Sequence, residues 1–489
     1  MSHQRTHSGC WEVVIGLEVH AQVISKSKLF SDASTKFGTY PNENVSFVDA
    51  ALPGVLPVIN SFCIDQTIKT GLGLNGTVNQ TSFFDRKNYF YADLPQGYQI
   101  TQFYHPIITG GYVEIETKDG NDKRINLDHI HMEQDAGKSI HDKSPTKSFI
   151  DLNRSGIALM EIVTKPDMRS AEEAAIFLRK LRSILRYLGT CDGNMDEGSM
   201  RADVNVSVHH PGTEYGPRVE VKNVNSVKFL MIAVNSEVKR QIKVLESGKT
   251  VEQETRQFDS DAGETWSMRS KENAQDYRYF PEPDLPPLWL EQSRIDAIRA
   301  TIPELPDGII FRLQRDYRLP HYDARLIASE KEIARFFEEA LVDGTKSDKI
   351  LVKMLSNWLV GDLFALLNKH GVTIEESRIS PKSLMDLMIL IKNEAISGKM
   401  AKDVLELMWK EQKTPGVIIE EKGWRQTTSA EEIGNSIRKI LEIHADKVTE
   451  YKNGKEKLFG FFVGQVMKEM QGKANPQILN EVLLKLLKE

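Results

Sequence analysis

The sequence predicts an α+β protein: a β-rich N-terminal domain, an all-α domain and a small all-α tail. Residues up to about 290 alternate short strand-like and loop-like segments rich in Gly, Asn and aromatics. Pro281, Pro283, Pro286 and Pro287 then crowd a segment that neither a helix nor a central strand tolerates. Beyond it, apolar residues recur at helical spacing. The domains fall at 1–292, 293–415 and 416–489, the last boundary drawn at the loop of Thr414, Pro415 and Gly416. A length of 489 residues suits about three domains at roughly 150 residues each, and 40% apolar with 27% charged residues is the composition of a chain that folds.

Charge and cysteine usage exclude several classes. Lys plus Arg number 63 against 69 Asp plus Glu, a formal charge of −6. The chain therefore lacks the basic average of a non-specific nucleic-acid binder, and any RNA contact must be local. The tail is the place for one, because ten Lys and Arg face seven acids from Ser436 to Glu489. Cys10, Cys63 and Cys191 are scattered without a C-x-x-C pair, so neither a disulfide framework nor a thiolate zinc knuckle is available and a reducing cytoplasm is expected. No secretory h-region and no run of about 18 uncharged apolar residues is found, so no membrane is expected.

Read in order, residues 11–24 form an alternating strand, with Val13, Ile15, Leu17, Val19, Ala21 and Val23 on one face and Glu12, Glu18, His20 and Gln22 on the other. Glu18 and His20, about 6.5 to 7 Å apart along a strand, can converge on one ion. Alone, the pair is as well explained by a solvated face. Gly71, Gly73 and Gly76 spell G-x-G-x-x-G, but a helix end precedes them and no βαβ unit surrounds them, so a helix terminus is expected. Asp85 to Tyr91 and Asp276 to Phe280 interleave aromatic and charged residues, suited either to stacking on unpaired bases or to ordinary packing.

His129, His131 and Glu133 project to one side of a second alternating segment. Gly137, Lys138 and Ser139 imitate the end of a Walker A loop, but Met132 stands where its first Gly belongs, so no P-loop is expected. Glu161 is a lone acid in the apolar run Leu159 to Val163; its partner is either an ion or, if its role is structural, Arg154. Glu18, Glu133 and Glu161 with His20 make a hard, oxygen-rich set suited to Mg²⁺ or Mn²⁺. A metal-dependent hydrolase built on His129 and His131 with Glu133 is the competing class.

Ser170 to Leu188 reads as a helix, with Phe177, Leu181, Ile184, Leu185 and Leu188 on one stripe and Ser170 with Glu173 as a capping box. It is the one clear helix of this region. Arg201, Asp203, Asn205 and Ser207 oppose Ala202, Val204, Val206 and Val208, and Glu220 and Lys222 oppose Val219 and Val221. Such rows serve as plain amphipathic strands or as binders of phosphate and ribose. Helices are expected over 331–341, 350–368, 381–396 and 401–410, and Gly460 with Gly464, four apart on a later helix, would admit close approach of another helix or an RNA backbone.

The stretches VIGLEVH (Val14 to His20), ALPGVLPVIN (Ala51 to Asn60), DRKNYFYADLPQGYQ (Asp85 to Gln99), DLNRSGIALMEIV (Asp151 to Val163), Gly198 to Val208 and DYRYFPEPD (Asp276 to Asp284) resemble the B subunit of the aspartyl/glutamyl-tRNA amidotransferases. Ala401 with Lys402, YKNG (Tyr451 to Gly454), GFFVGQ (Gly460 to Gln465) and GKANP (Gly472 to Pro476) resemble that family's helical and tail domains. The resemblance implies a kinase and amidation cradle over 1–292, a helical domain and a tRNA-binding tail. It also implies two partners, the glutaminase/amidase or A subunit and the small C subunit. The implied chemistry is ATP- and Mg²⁺-dependent phosphorylation of the carboxylate of Glu-tRNA(Gln) or Asp-tRNA(Asn) before amidation.

Carried over position by position, the metal ligands fall on Glu18, His20, Glu133 and Glu161. The resemblance further implies that Lys87, Arg154, Arg201, Asp203, Asn205 and Lys222 serve the phosphoryl transfer, and that Lys452, Lys455, Lys457, Lys468 and Lys473 touch tRNA. A scaffold that binds tRNA without chemistry remains the third class, and a solvated basic helix the plain reading of the tail. Two departures stand out: Ala158 where the family usually has Pro, and Gln134 after Glu133 where an acidic pair is common. With three scattered cysteines, the zinc site of some relatives is not expected.

Overall fold

The computed structural model describes residues 3–6, 9–270, 276–342, 344–424, 429–470 and 473–488. The polar run from Gln426 to Thr428 and Gly472 lie outside the described residues. Two compact units emerge, Met1–Pro306 and Asp307–Glu489. The first is sheet with covering helices and the second is helical, as the α+β expectation requires.

The first unit is built on a sheet of 14 strands among the described residues. Its centre runs, in order, Val219–Val224, Met200–His209, Gly9–Gln22, Ala158–Thr164 and Asp122–Gln134, each antiparallel to the next. Tyr98–Thr101 and Asp85–Asn88 extend one side, and Glu254–Asp259 joins the other in parallel. Val13, Ile15, Leu17, Val19 and Ala21 are buried against helices Ser61–Gly73, Ala171–Leu188 and Val227–Glu246, so one face of the sheet is core and the other carries the polar rows.

Three local expectations are refined. Ser170 caps its helix, its Oγ accepting from Glu173 N–H at 3.1 Å, but the return bond of a capping box is displaced: Glu173 accepts from Arg169 N–H at 2.7 Å and pairs with Lys123 at 2.7 Å. Val227–Glu246 is a second long helix that periodicity did not isolate, because its Val and Ile content reads equally as strand; its buried Leu230, Ala233, Val234, Glu237, Val238 and Gln241 show the helical stripe. Gly73 ends helix 61–73, where an added Cβ would lie 2.7 Å from Cδ1 of buried Leu188. The glycine is therefore there for helix packing. Gly73→Ala should lower stability by about 1–2 kcal/mol, overpacking outweighing the helix-propensity gain, and an unchanged urea midpoint would contradict this.

In the second unit, Lys349–Trp358, the π-helical turn Leu359–Leu363 and Phe364–His370 run on as one stretch. By length and composition it is apolar enough to cross a membrane, more than its sequence suggested. It is packed as a core helix: Leu351, Leu355, Leu359, Leu363 and Leu366 are buried, while Lys353, Asp362 and Lys369 pair with Asp323, Lys402 and Glu406 of other helices. Further on, Ala430–Ile443, Leu458–Glu469 and Pro476–Lys488 share a core of Ile433, Ile437, Phe462, Val466, Leu479 and Leu483.

Candidate functional site

Strand register assembles the polar face in rungs. Arg201 stands opposite His20, His20 opposite Glu161, and Glu161 opposite His131. One rung over lie Asp203, Glu18, Val163 and His129; on the other side lie Gln22, Leu159, Glu133 and Thr101. Because partners across a ladder share a face, four strands distant in sequence deliver their polar side chains to one surface.

Glu161 is the hub. Its carboxylate lies 3.4 Å from His20 Nε2 and 3.1 Å from His131 Nε2, and Glu133 lies 3.5 Å from His20 and 3.7 Å from His131. Burial alone would lower the pKa of His20, but Glu161 and Glu133 outweigh it and push it up to about 9; the same balance pushes His131 up to about 10. Burial would raise Glu161, yet the His131 and His20 charges hold it well below the usual carboxylate range. Glu18 is raised by burial and by the negative charge of Glu161.

One ligand atom from each of His20, Glu133 and Glu161 lies within 4.8 Å of the others, a separation one cation can bridge. A single imidazole with two carboxylates suits a hard divalent ion. Glu18 is outside that trio, one rung away, accepting from Asn205 Nδ2 at 2.8 Å. His129 is engaged at both ring nitrogens, with Asp128 at 2.8 Å and with His131 at 3.0 Å, so His129 and His131 do not open together onto one ion as an H-x-H site requires.

The cations ring the same face. A cavity of about 470 Å³ is lined by His20 and Glu133 together with Lys87, Arg154, Arg201, Asp203 and Lys222. Lys222 is held by Asp203 at 2.8 Å and Glu220 at 2.7 Å, and Lys87 sits 5.1 Å from the Tyr277 ring centre. Burial works against the charge of both lysines, but Glu133 for Lys87, and Asp203 with Glu220 for Lys222, raise their pKa above the usual lysine value. Arg154 does not pair with Glu161. It lies 3.4 Å from Asp135 and donates to the carbonyls of Ala136 and Gly137, while Arg201 meets the other Asp135 oxygen at 3.1 Å.

Buried Asp135 thus braces two guanidiniums, a role the sequence did not reveal. The available signal was an acid placed just past a buried strand end. Gln134 is also buried and donates to Gln96 at 3.0 Å, and Ala158 begins its strand, a position that Pro also tolerates. The aromatics gather rather than scatter: Phe103 stacks on Tyr279 at 3.9 Å, and Tyr277 lies 6.0 Å from both Tyr89 and Tyr279.

In the tail, Lys452, Lys455 and Lys457 cluster at the turn before helix 458–469, Lys455 pairing with Glu450 at 3.1 Å. Lys468 and Lys473 lie at the far end of that helix. Nothing described lies within 4 Å of a Cβ added at Gly460 or Gly464, so no other helix of the described chain fills either position.

Residues 13–296 match the GatB/GatE catalytic domain and residues 335–487 match the GatB domain. The chain is 56% identical over 482 residues to the B subunit of an aspartyl/glutamyl-tRNA(Asn/Gln) amidotransferase of Acidiphilium cryptum, covering 99% of this chain and 98% of that one. The corresponding protein of Gluconobacter oxydans is 56% identical over the full length of both chains, and that of Bartonella tribocorum is 54% identical over 97% of this chain and 95% of its own. With likeness of this depth running from the N-terminal sheet through the helical tail, the chain belongs to the B-subunit family of the aspartyl/glutamyl-tRNA(Asn/Gln) amidotransferases.

Proposed function

We propose that the polar sheet face phosphorylates the side-chain carboxylate of Glu esterified to tRNA(Gln), or of Asp esterified to tRNA(Asn), and that ammonia from a partner amidase then amidates it. The observation that carries this is Glu161 held between His20 and His131, beside Glu133 and ringed by four cations. A carboxylate resists ammonia because its charge repels nucleophiles and oxide is a poor leaving group. In the first step a carboxylate oxygen attacks the γ-phosphorus of ATP, the bond to the bridging oxygen breaks and ADP leaves. In the second, ammonia adds to the acyl carbon, phosphate departs and nitrogen loses a proton to solvent.

Phosphoryl transfer asks mainly for positioning and charge neutralisation. Arg154 and Arg201, fixed by Asp135, present guanidiniums to phosphate oxygens; Lys222, aimed by Asp203 and Glu220, and Lys87 add point charges. Asn205 orients Glu18. Mg²⁺ or Mn²⁺ held by His20, Glu133 and Glu161, with Glu18 near, would neutralise phosphate charge. Ammonia comes from the glutaminase/amidase partner, with the small C subunit completing a cytoplasmic assembly that serves translation.

The test is a reconstituted assay of charged tRNA, ATP and Mg²⁺, with and without the partner proteins. ADP should form only with charged tRNA and metal present, and amidated aminoacyl-tRNA should match it when ammonia is supplied. A nucleotide-independent hydrolysis, or amidation that survives the double variant Glu18→Gln and Glu161→Gln, would refute the reading.

The basic tail is proposed to contact the tRNA backbone through Lys452, Lys455 and Lys457, with Lys468 and Lys473 nearer its other end. Removing residues 416–489 should weaken tRNA binding by about tenfold or more and flatten its salt dependence, as loss of phosphate contacts does. Glutamine hydrolysis by the partner should be spared. Equal tRNA affinities by filter binding at two salt concentrations would rule the contact out.

A further inference from the structure

Residues 23–60 link strand 9–22 to helix 61–73 as a long loop, and Lys28 within it is wholly buried. Such burial is rare for lysine, because an ammonium taken out of water must recover the hydrogen bonds it loses. Here it does. Its Nζ donates to Asp49 Oδ2 at 2.9 Å, to the Asn44 carbonyl at 2.7 Å and to the Leu152 carbonyl at 3.3 Å, one acceptor for each of three protons. Asp49, also buried, accepts in addition from Ser31 Oγ at 3.0 Å and from Ser46 N–H at 2.9 Å. Neither Lys28 nor Asp49 lines the large cavity.

The bond to Leu152 gives the pair its reach. Leu152 begins the turn that carries Arg154, and Gly156 ends it. Lys28 holds Leu152 through its side chain, while Leu29, the next residue, donates its backbone N–H to the Gly156 carbonyl at 2.9 Å. Within the turn, Ser155 N–H donates to the Leu152 carbonyl at 3.0 Å and Ile157 N–H to that of Arg154 at 3.1 Å. Two consecutive residues of the loop thus fix both flanks of Arg154. Gly156 also lies against the pair: its φ is +83°, and an added Cβ would come within 2.7 Å of Asp49 Oδ1, so glycine lets the turn rest on this carboxylate. Asn44 tightens the join, its N–H donating to Asn153 Oδ1 at 2.8 Å.

Stability alone does not explain a lysine at this place. A buried ion pair is often no more stabilising than apolar side chains of similar volume, so apolar residues at both positions would fill the space as well. What they would not do is direct bonds to oxygens on three separate segments. Arg154 needs that direction. Its guanidinium donates to the carbonyls of Ala136 and Gly137 and faces Asp135, and a long side chain keeps such an aim only while its backbone is held.

We propose that Lys28 and Asp49 are positioning residues for Arg154: the buried pair fixes the turn 152–156 and so holds the guanidinium toward the large cavity. The assignment rests on the phosphoryl-transfer reading above, in which Arg154 meets phosphate oxygens. Neither member of the pair touches substrate itself.

A double-mutant cycle in the assembled amidotransferase separates this role from plain support of the fold. ATP turnover with charged tRNA is measured for wild type, Lys28→Met, Arg154→Ala and the double variant, below the unfolding temperature of each. Lys28→Met should lower kcat by about tenfold, since a misplacement of about 1 Å costs up to about a hundredfold, and should leave the KM for charged tRNA within about twofold. In the Arg154→Ala background the same change should cost less than about twofold, because the side chain it aims is gone. Asp49→Asn, which keeps the side-chain volume, should show a smaller loss with the same dependence on Arg154. It carries the cycle if Lys28→Met does not unfold cooperatively.

Equal fold-losses in both backgrounds would reduce the pair to a support of the loop and overturn the inference, as would unchanged turnover in Lys28→Met and Asp49→Asn. Full turnover in Arg154→Ala removes the phosphate role of Arg154, and the inference with it. Wild-type complex that consumes no ATP on adding charged tRNA refutes the underlying reading before any variant is made.

Discussion

Glu161→Gln is expected to lower ATP turnover by at least about a thousandfold, because it removes the carboxylate nearest to both His20 and His131 and a candidate ligand of the cation that neutralises phosphate charge. Stability should move far less. His20 and His131 owe their raised pKa to Glu161 and Glu133, so when Glu161 goes they can shed protons instead of remaining as unpaired buried charges. Affinity for tRNA should be largely kept. ADP release with charged tRNA, measured beside a tRNA binding curve, checks both halves; turnover within tenfold of wild type would mean Glu161 is only a structural partner for two histidines.

Asp135→Ala is expected to cut both activity and stability, the latter by about 2–3 kcal/mol. Breaking a buried ion pair costs about 3–5 kcal/mol, and partial exposure of Arg154 and Arg201 reduces that. The two guanidiniums lose their common brace, so activity should fall at least as much as for removal of either arginine alone. Asp135→Asn should recover part of the stability, since an amide still accepts a hydrogen bond, and less of the turnover. Arg154→Ala and Arg201→Ala supply the comparison, with urea unfolding and amidation rate as readouts. If Asp135→Ala unfolds at the wild-type urea midpoint, the brace is not structural.

Much of this was legible because a strand has a period of two. The alternation of residues 11–24, of 129–133 and of 201–207 assigned Glu18, His20, Glu133 and the Arg201 row to polar faces before any pairing was known, and Val13, Ile15, Leu17, Val19 and Ala21 all lie in the core as that parity requires. Gly71, Gly73 and Gly76 were recognisable as a helix end because the strand that a dinucleotide fingerprint needs was missing. Periodicity failed where residue type is ambiguous. The helix Val227–Glu246 is rich in Val and Ile, and only its packing against the sheet decides it.

The partner of a side chain was not legible. Arg154 was the basic residue expected to pair with Glu161 if that acid were structural, yet it belongs to Asp135, because the chain turns between residues 152 and 157 and carries the guanidinium to the end of strand 122–134. Glu18 likewise falls one rung short of the trio it was grouped with.

Sequence alone therefore determined which residues are polar on which face, that the chain passes from a sheet-rich to a helical portion, and to which family the chain is similar, since period and motif order are local properties. Tertiary structure alone decided that Glu161 stands between His20 and His131, that Asp135 braces two arginines, and that Lys28 holds the turn carrying Arg154. The second depends on partners 19 and 66 residues from Asp135 in the chain, the third on a bond spanning 124 residues, and the first on register between strands more than a hundred residues apart. That register is set by burial of the opposite face, where a slip of one residue would turn Val13, Ile15, Leu17, Val19 and Ala21 out of the core.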